Sequence, residues 1–178
     1  MRLFLAVNVP KEVKTRLFEA AQPLKRFGQM KMVEEENVHF TLKFLGDAEP
    51  EPIIKVLSKI KVKPFEVSVK GIGVFPNTSY IRVIWAGCEK GADDIVALHD
   101  KVEDALKTLQ VFEKDRDFHP HATLARVSFP RDKEGLIKFF EDSQDTDFGS
   151  FELKSFELMK SDLSRGGPTY EVVKSFKL

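Results

Sequence analysis

The sequence has a single cysteine, Cys88, among 178 residues, which excludes an internal disulfide and any cysteine-rich zinc site. Its neighbours Trp85, Ala86 and Gly87 suggest a buried strand end, where the thiol serves as packing. Charge of one sign is not in excess. Lys plus Arg and Asp plus Glu both number 28, which argues against bulk electrostatic attachment to nucleic acid but leaves room for a local basic cleft. No apolar run reaches the ~18 residues that a membrane helix needs. The start, Met1 to Val7, is apolar but lacks the longer core and small-residue cleavage site of a signal peptide, so a cytoplasmic location is expected. There is no Gly-x-x-x-x-Gly-Lys loop, which argues against an ATP-driven reaction, and Gly71-Ile72-Gly73 is too short for a dinucleotide fingerprint. No Gly-x-Ser-x-Gly elbow is present. Asn and Gln are sparse beside Lys and Glu, a composition that leans towards thermophilic sources.

What is present is one short pattern written twice. Val38-His39-Phe40-Thr41-Leu42-Lys43-Phe44-Leu45-Gly46 and Phe118-His119-Pro120-His121-Ala122-Thr123-Leu124-Ala125-Arg126 both carry His-x-Thr-Leu, with the two histidines 82 residues apart. Each reads as a strand, and alternation along a strand puts the histidine and threonine on one face.

The surrounding elements repeat as well. Arg2 to Val9 reads as a buried strand, and the apolar spacing from Lys11 predicts a helix to about Phe27, ended by Gly28. Met30 to Val33 is a short strand, and Glu34 to Glu36 a solvated loop or strand end. Pro50 opens a helix through Ile60. A half-buried strand over 65–70, punctuated by Gly71 and Gly73 as at a bulge, forms a hairpin with Tyr80 to Ala86. A helix from Ala92 to Leu109 precedes the second motif. Then come a helix from Asp132 to Glu141, a strand-like stretch from Phe148 to Asp162, and a last strand from Tyr170 to Phe176. Tyr80 and Tyr170 occupy matching places in the two halves. The implied fold is α+β: a single domain over residues 1–178, of two pseudo-symmetric, duplicated lobes, each an antiparallel sheet backed by helices and contributing one His-x-Thr-Leu strand to a central cleft.

A lone histidine on an apolar strand is usually a satisfied core residue. Two, related by symmetry and facing one cleft, are better explained as an acid–base pair, because imidazole titrates near neutrality and one ring can take a proton while the other gives one. The threonines add preorganised donors for an anion. Four such groups around a two-fold suit a phosphoryl centre, whose nucleophile and leaving group lie on opposite sides of phosphorus. Metal binding by His39, His119 and His121 is the rival chemistry. It is disfavoured because no carboxylate lies at helical ligand spacing, and His119 reads as standing at the strand's entrance. His99, in the long helix, reads as an ordinary surface histidine.

At these residues the chain resembles the two-histidine phosphoesterases, and within them the RNA 2′,3′-cyclic phosphodiesterase family, historically called 2′-5′ RNA ligase. The resemblance extends over Arg2 to Val7, Thr41 to Gly46, Arg82 to Gly87, the His121 to Arg126 block and Gly166 to Tyr170. It implies hydrolysis of RNA 2′,3′-cyclic phosphate ends to a 2′-phosphate without metal, ATP or other cofactor, and reversible 2′-5′ joining of RNA ends. It implies His39 and His121 as the acid–base pair, Thr41 and Thr123 on the phosphate oxygens, and Arg126 and Phe44 at the terminal nucleotide. The expected partners are RNA ends, tRNA halves among them, met by a monomer with no membrane attachment. Phe44 and Arg126 each lie five residues after a histidine, and an odd offset points to the opposite face unless a bulge or strand ending intervenes. Two alternatives stay open: a non-catalytic module that grips an RNA end or nucleotide, and a phosphodiesterase for a small cyclic phosphate.

Overall fold

The computed structural model describes all 178 residues. In chain order the elements are β1 (Arg2–Asn8), α1 (Lys11–Ala21), β2 (Gly28–Met32), β3 (His39–Asp47), α2 (Pro50–Leu57), β4 (Phe65–Asn77), β5 (Tyr80–Cys88), α3 (Ala92–Lys107), β6 (His121–Pro130), α4 (Lys133–Asp142), β7 (Asp147–Leu153), β8 (Ser155–Ser164) and β9 (Gly167–Lys177). The fold is α+β. All strands join one curled antiparallel sheet in the order β7-β4-β5-β6-β3-β1-β8-β9, with β2 paired to β6 as well.

The middle of this sheet is nearly parted. β3 and β6 share one residue pair, Phe40 opposite Ala122. On one side of that seam lie β3, β1, β8 and β9; on the other lie β6, β5, β4 and β7. Each wing therefore mixes strands of both halves of the chain, and β2 adds a fifth strand to the wing of β6. The stretch from Phe148 to Asp162, read from sequence as one strand, breaks at Lys154: β7 pairs with β4 at one edge of the sheet and β8 with β1 in the other wing.

The core follows from alternation. Leu3, Leu5 and Val7 of β1 enter a large apolar cluster with Val13 and Leu17 of α1, Ile53 and Leu57 of α2, Ile95, Leu98 and Val102 of α3, and Leu136 and Phe140 of α4. The alternate residues of β1, Phe4 and Ala6, face the other way and form a small second cluster with Met159, against which Tyr170 packs.

Some boundaries differ from those predicted. The first α-helix stops at Ala21, because Pro23 has no N–H to continue the ladder; a 3-10 turn, Gln22–Phe27, carries the chain on, and Gly28 then opens β2. A Cβ at Gly28 would lie 2.5 Å from the Phe129 carbonyl oxygen, so the residue is small for packing. Glu35–Asn37 form a 3-10 turn and α2 ends at Leu57. The bulge expected near Gly71 is present, between Val69 and Ile72 in the β4–β5 register, with Gly71 at φ 76°. No helix is long and apolar enough to cross a membrane.

Candidate active site

The seam between β3 and β6 is where the two motifs meet. Phe40 and Ala122 are opposite and fully buried. In antiparallel register their neighbours then also face one another: His39 lies across from Thr123, and Thr41 across from His121. All four of these side chains are half-buried. They occupy the corners of a small rectangle with the histidines on one diagonal and the threonines on the other.

Both rings are oriented by the same device. His39 Nδ1 lies 2.6 Å from the Asn37 carbonyl and His121 Nδ1 lies 2.6 Å from the His119 carbonyl, each two residues back. A carbonyl only accepts, so Nδ1 carries the hydrogen in both rings and Nε2 is left for proton transfer. His39 Nε2 lies 2.8 Å from Thr41 Oγ1. The pKa of each histidine is pushed below its ordinary value. For His39 burial is the main cause, and the charges of Lys14 and His121 act in the same direction against the pull of the Asn37 carbonyl. For His121 burial again leads, with His119 and Arg126 adding to it and the His119 carbonyl opposing.

The odd offset of Phe44 and Arg126 is resolved by a bulge in each motif strand. Leu5 of β1 pairs with Lys43 and Ala6 with Thr41, so Leu42 has no partner. In the other wing Ile84 of β5 pairs with Ala125 and Trp85 with Thr123, so Leu124 has none. Leu42 and Lys43 both point into the core, as do Leu124 and Ala125. The extra residue returns Phe44 and Arg126 to the histidine face. Phe44 is 71% exposed and stands 6.2 Å, ring to ring, from Phe4. Arg126 is exposed and makes no ion pair, and its positive charge acts to lower the pKa of both His121 and Tyr170.

Residues missed by the sequence reading surround the rectangle. Phe4 and Tyr170 pack on His39 with ring centroids at 5.2 and 5.5 Å. Phe75 meets His121 edge-on at 4.9 Å, and Trp85 lies 4.8 Å from Phe75. Phe4 and Trp85 fall inside the motif blocks already singled out, which was the available signal; Phe75 gave none. The sequence match of Tyr80 with Tyr170 fails. Tyr80 is 59% exposed at a hairpin end, beneath the Arg82 guanidinium, and it is Phe75 and Trp85 that flank His121 as Tyr170 and Phe4 flank His39.

His99 is a further correction. It is buried, not a surface residue, because α3 turns it beneath the loop ahead of β6. Its ring stacks on Phe118 at 4.0 Å, and Nε2 donates to Asp115 Oδ2 at 3.0 Å. Beside it the Lys43 ammonium donates to Glu103 Oε1 at 2.7 Å, the Glu113 carbonyl at 2.7 Å and Asp115 Oδ1 at 3.1 Å. His99, Glu103 and Asp115 are the one group whose donor atoms converge as metal ligands would. An ammonium already holds the cation position there. His39, His119 and His121 do not converge in that way. Cys88 is half-buried and donates to the Lys90 carbonyl at 3.3 Å; burial pushes its thiol up to about 11, which suits packing rather than reactivity.

Two imidazoles presenting Nε2 across a pair of hydroxyls define a phosphoesterase of the two-histidine class. The family model described as "LigT like Phosphoesterase" matches residues 7–85 and 87–170, and the chain belongs to that family. It is 39% identical to an RNA 2′,3′-cyclic phosphodiesterase of Methanocaldococcus jannaschii, over 99% of this chain and 100% of that protein. It is 33% identical to another so named from Methanothermobacter thermautotrophicus, over 100% and 99% of the two. A solved structure from Thermus thermophilus superposes with a TM-score of 0.82 at 30% identity, covering 100% of this chain and 98% of that one.

Proposed function

We propose that this chain hydrolyses 2′,3′-cyclic phosphate ends of RNA to 2′-phosphates, without metal, ATP or other cofactor, and that it joins and parts RNA ends reversibly through 2′-5′ linkages. The observation that carries the reading is the single Phe40–Ala122 pair, which sets each histidine opposite the other strand's threonine. His121 Nε2 takes the proton of water as its oxygen bonds to phosphorus. The bond from phosphorus to the 3′ oxygen breaks, and His39 Nε2 gives that oxygen its proton. Thr41 and Thr123 donate to the non-bridging oxygens, whose negative charge also favours the imidazolium that the reaction needs. Arg126 offers charge to the terminal nucleotide, and Phe44 a ring for its base. The names of the relatives support this substrate. The zero net charge fits recognition confined to the RNA end, such as that of a tRNA half, by a monomer in the cytoplasm. In this reading the matching halves are a duplication within one domain.

The test is an RNA oligonucleotide ending in a 2′,3′-cyclic phosphate, incubated with the protein in chelator. A 2′-phosphate product is expected. Persistent cyclic ends would sink the reading, and a 3′-phosphate product would overturn the assignment of the leaving oxygen.

A further inference from the structure

The surroundings of the two histidines differ in one respect that hydrolysis does not require. His39 is closed in by Phe4, which is buried, and by Tyr170. His121 instead forms part of the lining of an open cavity of about 450 Å³, walled by Phe75, Trp85, Val96 and Phe118, with Asp93 at its side. This volume lies within the ~300–1,000 Å³ of small-molecule sites. The wall is an aromatic platform, since Phe75 and Trp85 lie 4.8 Å apart and tilted by 34°. Gly73 makes that platform possible: a Cβ there would come within 2.5 Å of the indole, so its absence lets the ring lie down on the strand.

We infer that this cavity is the subsite for the nucleoside bearing the 5′-hydroxyl in 2′-5′ joining, an inference that rests on the function proposed above. In-line displacement puts entering and leaving oxygens on opposite sides of phosphorus. With the 3′ oxygen departing towards His39, the entering oxygen lies at His121, and whatever is attached to it extends over that histidine. Water carries nothing and leaves the cavity unused. A 5′-hydroxyl carries a ribose and a base, and the base stacks on Phe75 and Trp85. In the joining step the 5′-hydroxyl proton passes to His121 Nε2 and the 5′-oxygen bonds to phosphorus. The bond from phosphorus to the 3′ oxygen breaks, and that oxygen takes the proton of His39. Asp93 favours an uncharged 5′-hydroxyl end over a 5′-phosphate, and with Asp94 it already answers the positive end of α3.

The test compares two probes. Adenosine 2′,3′-cyclic phosphate needs only water. Cleavage of 2′-5′-linked diadenosine monophosphate runs the joining step backwards and needs both nucleosides seated. Ala92→Trp, which fills the cavity from α3, is expected to lower kcat/KM for the dinucleotide about tenfold or more, the loss of one base–aromatic stack, and to change cyclic-phosphate hydrolysis less than about twofold. Should that variant not fold, Trp85→Leu, which removes the platform, is expected to lower dinucleotide cleavage more than hydrolysis. Equal losses on both probes, or undiminished dinucleotide cleavage, overturn the subsite. Wild-type hydrolysis of the cyclic phosphate without any dinucleotide cleavage removes the subsite and leaves the hydrolase standing. Wild-type inactivity on both probes, and on cyclic-ended RNA, removes the function itself.

Discussion

In the first wing the residue that the bulge turns into the core is Lys43; in the second it is Ala125. The two motif strands share the carbonyl two residues back on each Nδ1 and the five-residue step to Phe44 or Arg126. In the proposed mechanism the phosphate chemistry uses the symmetric part. The asymmetric part is support. Lys43 reaches through the core side of β3 to the loop that delivers His121, whereas Ala125 only packs. His39 is also the more deeply set ring, between Phe4 and Tyr170.

The largest effect should come from the histidines, and it asks how far the symmetry reaches. His39→Ala and His121→Ala are each expected to lower kcat on a cyclic-ended RNA by several orders of magnitude, on the order of 10²–10⁴ or more. The double variant should be little worse than either single one, since a pair acting in one step is not additive. Single-turnover rates of the three variants would check this. Full activity in either single variant removes that residue from the mechanism.

The next effect breaks the symmetry. Lys43 and Glu103 have side chains only 2% and 8% exposed, so Lys43→Met leaves a buried carboxylate without its cation. A loss of about 3–5 kcal/mol is expected, as for other buried pairs cut on one side. Ala125→Gly, at the matching position, should cost about 1 kcal/mol or a little more, chiefly through backbone freedom. Urea unfolding of both variants gives the comparison directly. Similar losses in the two would mean that Lys43 packs rather than pairs.

Thr41→Val and Thr123→Val test the other diagonal of the rectangle. Each keeps the shape and removes one donor, and each should lower kcat about 10²-fold, the scale for a lost oxyanion donor. Thr41 carries a second duty, its hydrogen bond to His39 Nε2 at 2.8 Å, so its variant should also change the pH profile of kcat/KM. Thr123→Val should lower the rate without moving the profile; a shifted profile there would show a coupling to His121 that the ground-state geometry lacks.

Much of this was legible in the sequence because motif and strand period agree. His-x-Thr needs only alternation to share a face, and the repeat at matching places brought the two copies together. The bulges were not legible. A register shift depends on how β1 and β5 pair with the motif strands, and no residue in Leu42-Lys43 or Leu124-Ala125 announces it. Strand exchange is hidden for the same reason: Lys154 gives no sign that the chain passes there from one wing to the other, and the pattern that aligns Tyr80 with Tyr170 does not hold in space. His99 looked like a surface residue because its immediate neighbours include Asp100. Its burial comes from a loop sixteen residues on, through Asp115 and Phe118.

The smallest expected effect concerns stability against pH, and it ranks the two rings by burial. Both histidines have a folded-state pKa below the ordinary 6.5. Above that value both rings are neutral folded or unfolded and contribute no pH dependence. As pH falls below 6.5 the unfolded chain binds protons that the folded chain refuses, so stability is lost progressively until the folded-state pKa is passed. His39→Gln and His121→Gln each remove one such group, and each should flatten the fall in urea midpoint between pH 7 and pH 5. Because burial leads both shifts and His39 is the deeper ring, the flattening should be greater for His39→Gln. The reverse order would mean that Arg126 and His119, rather than burial, govern the second histidine, and that the wings differ in charge more than in depth.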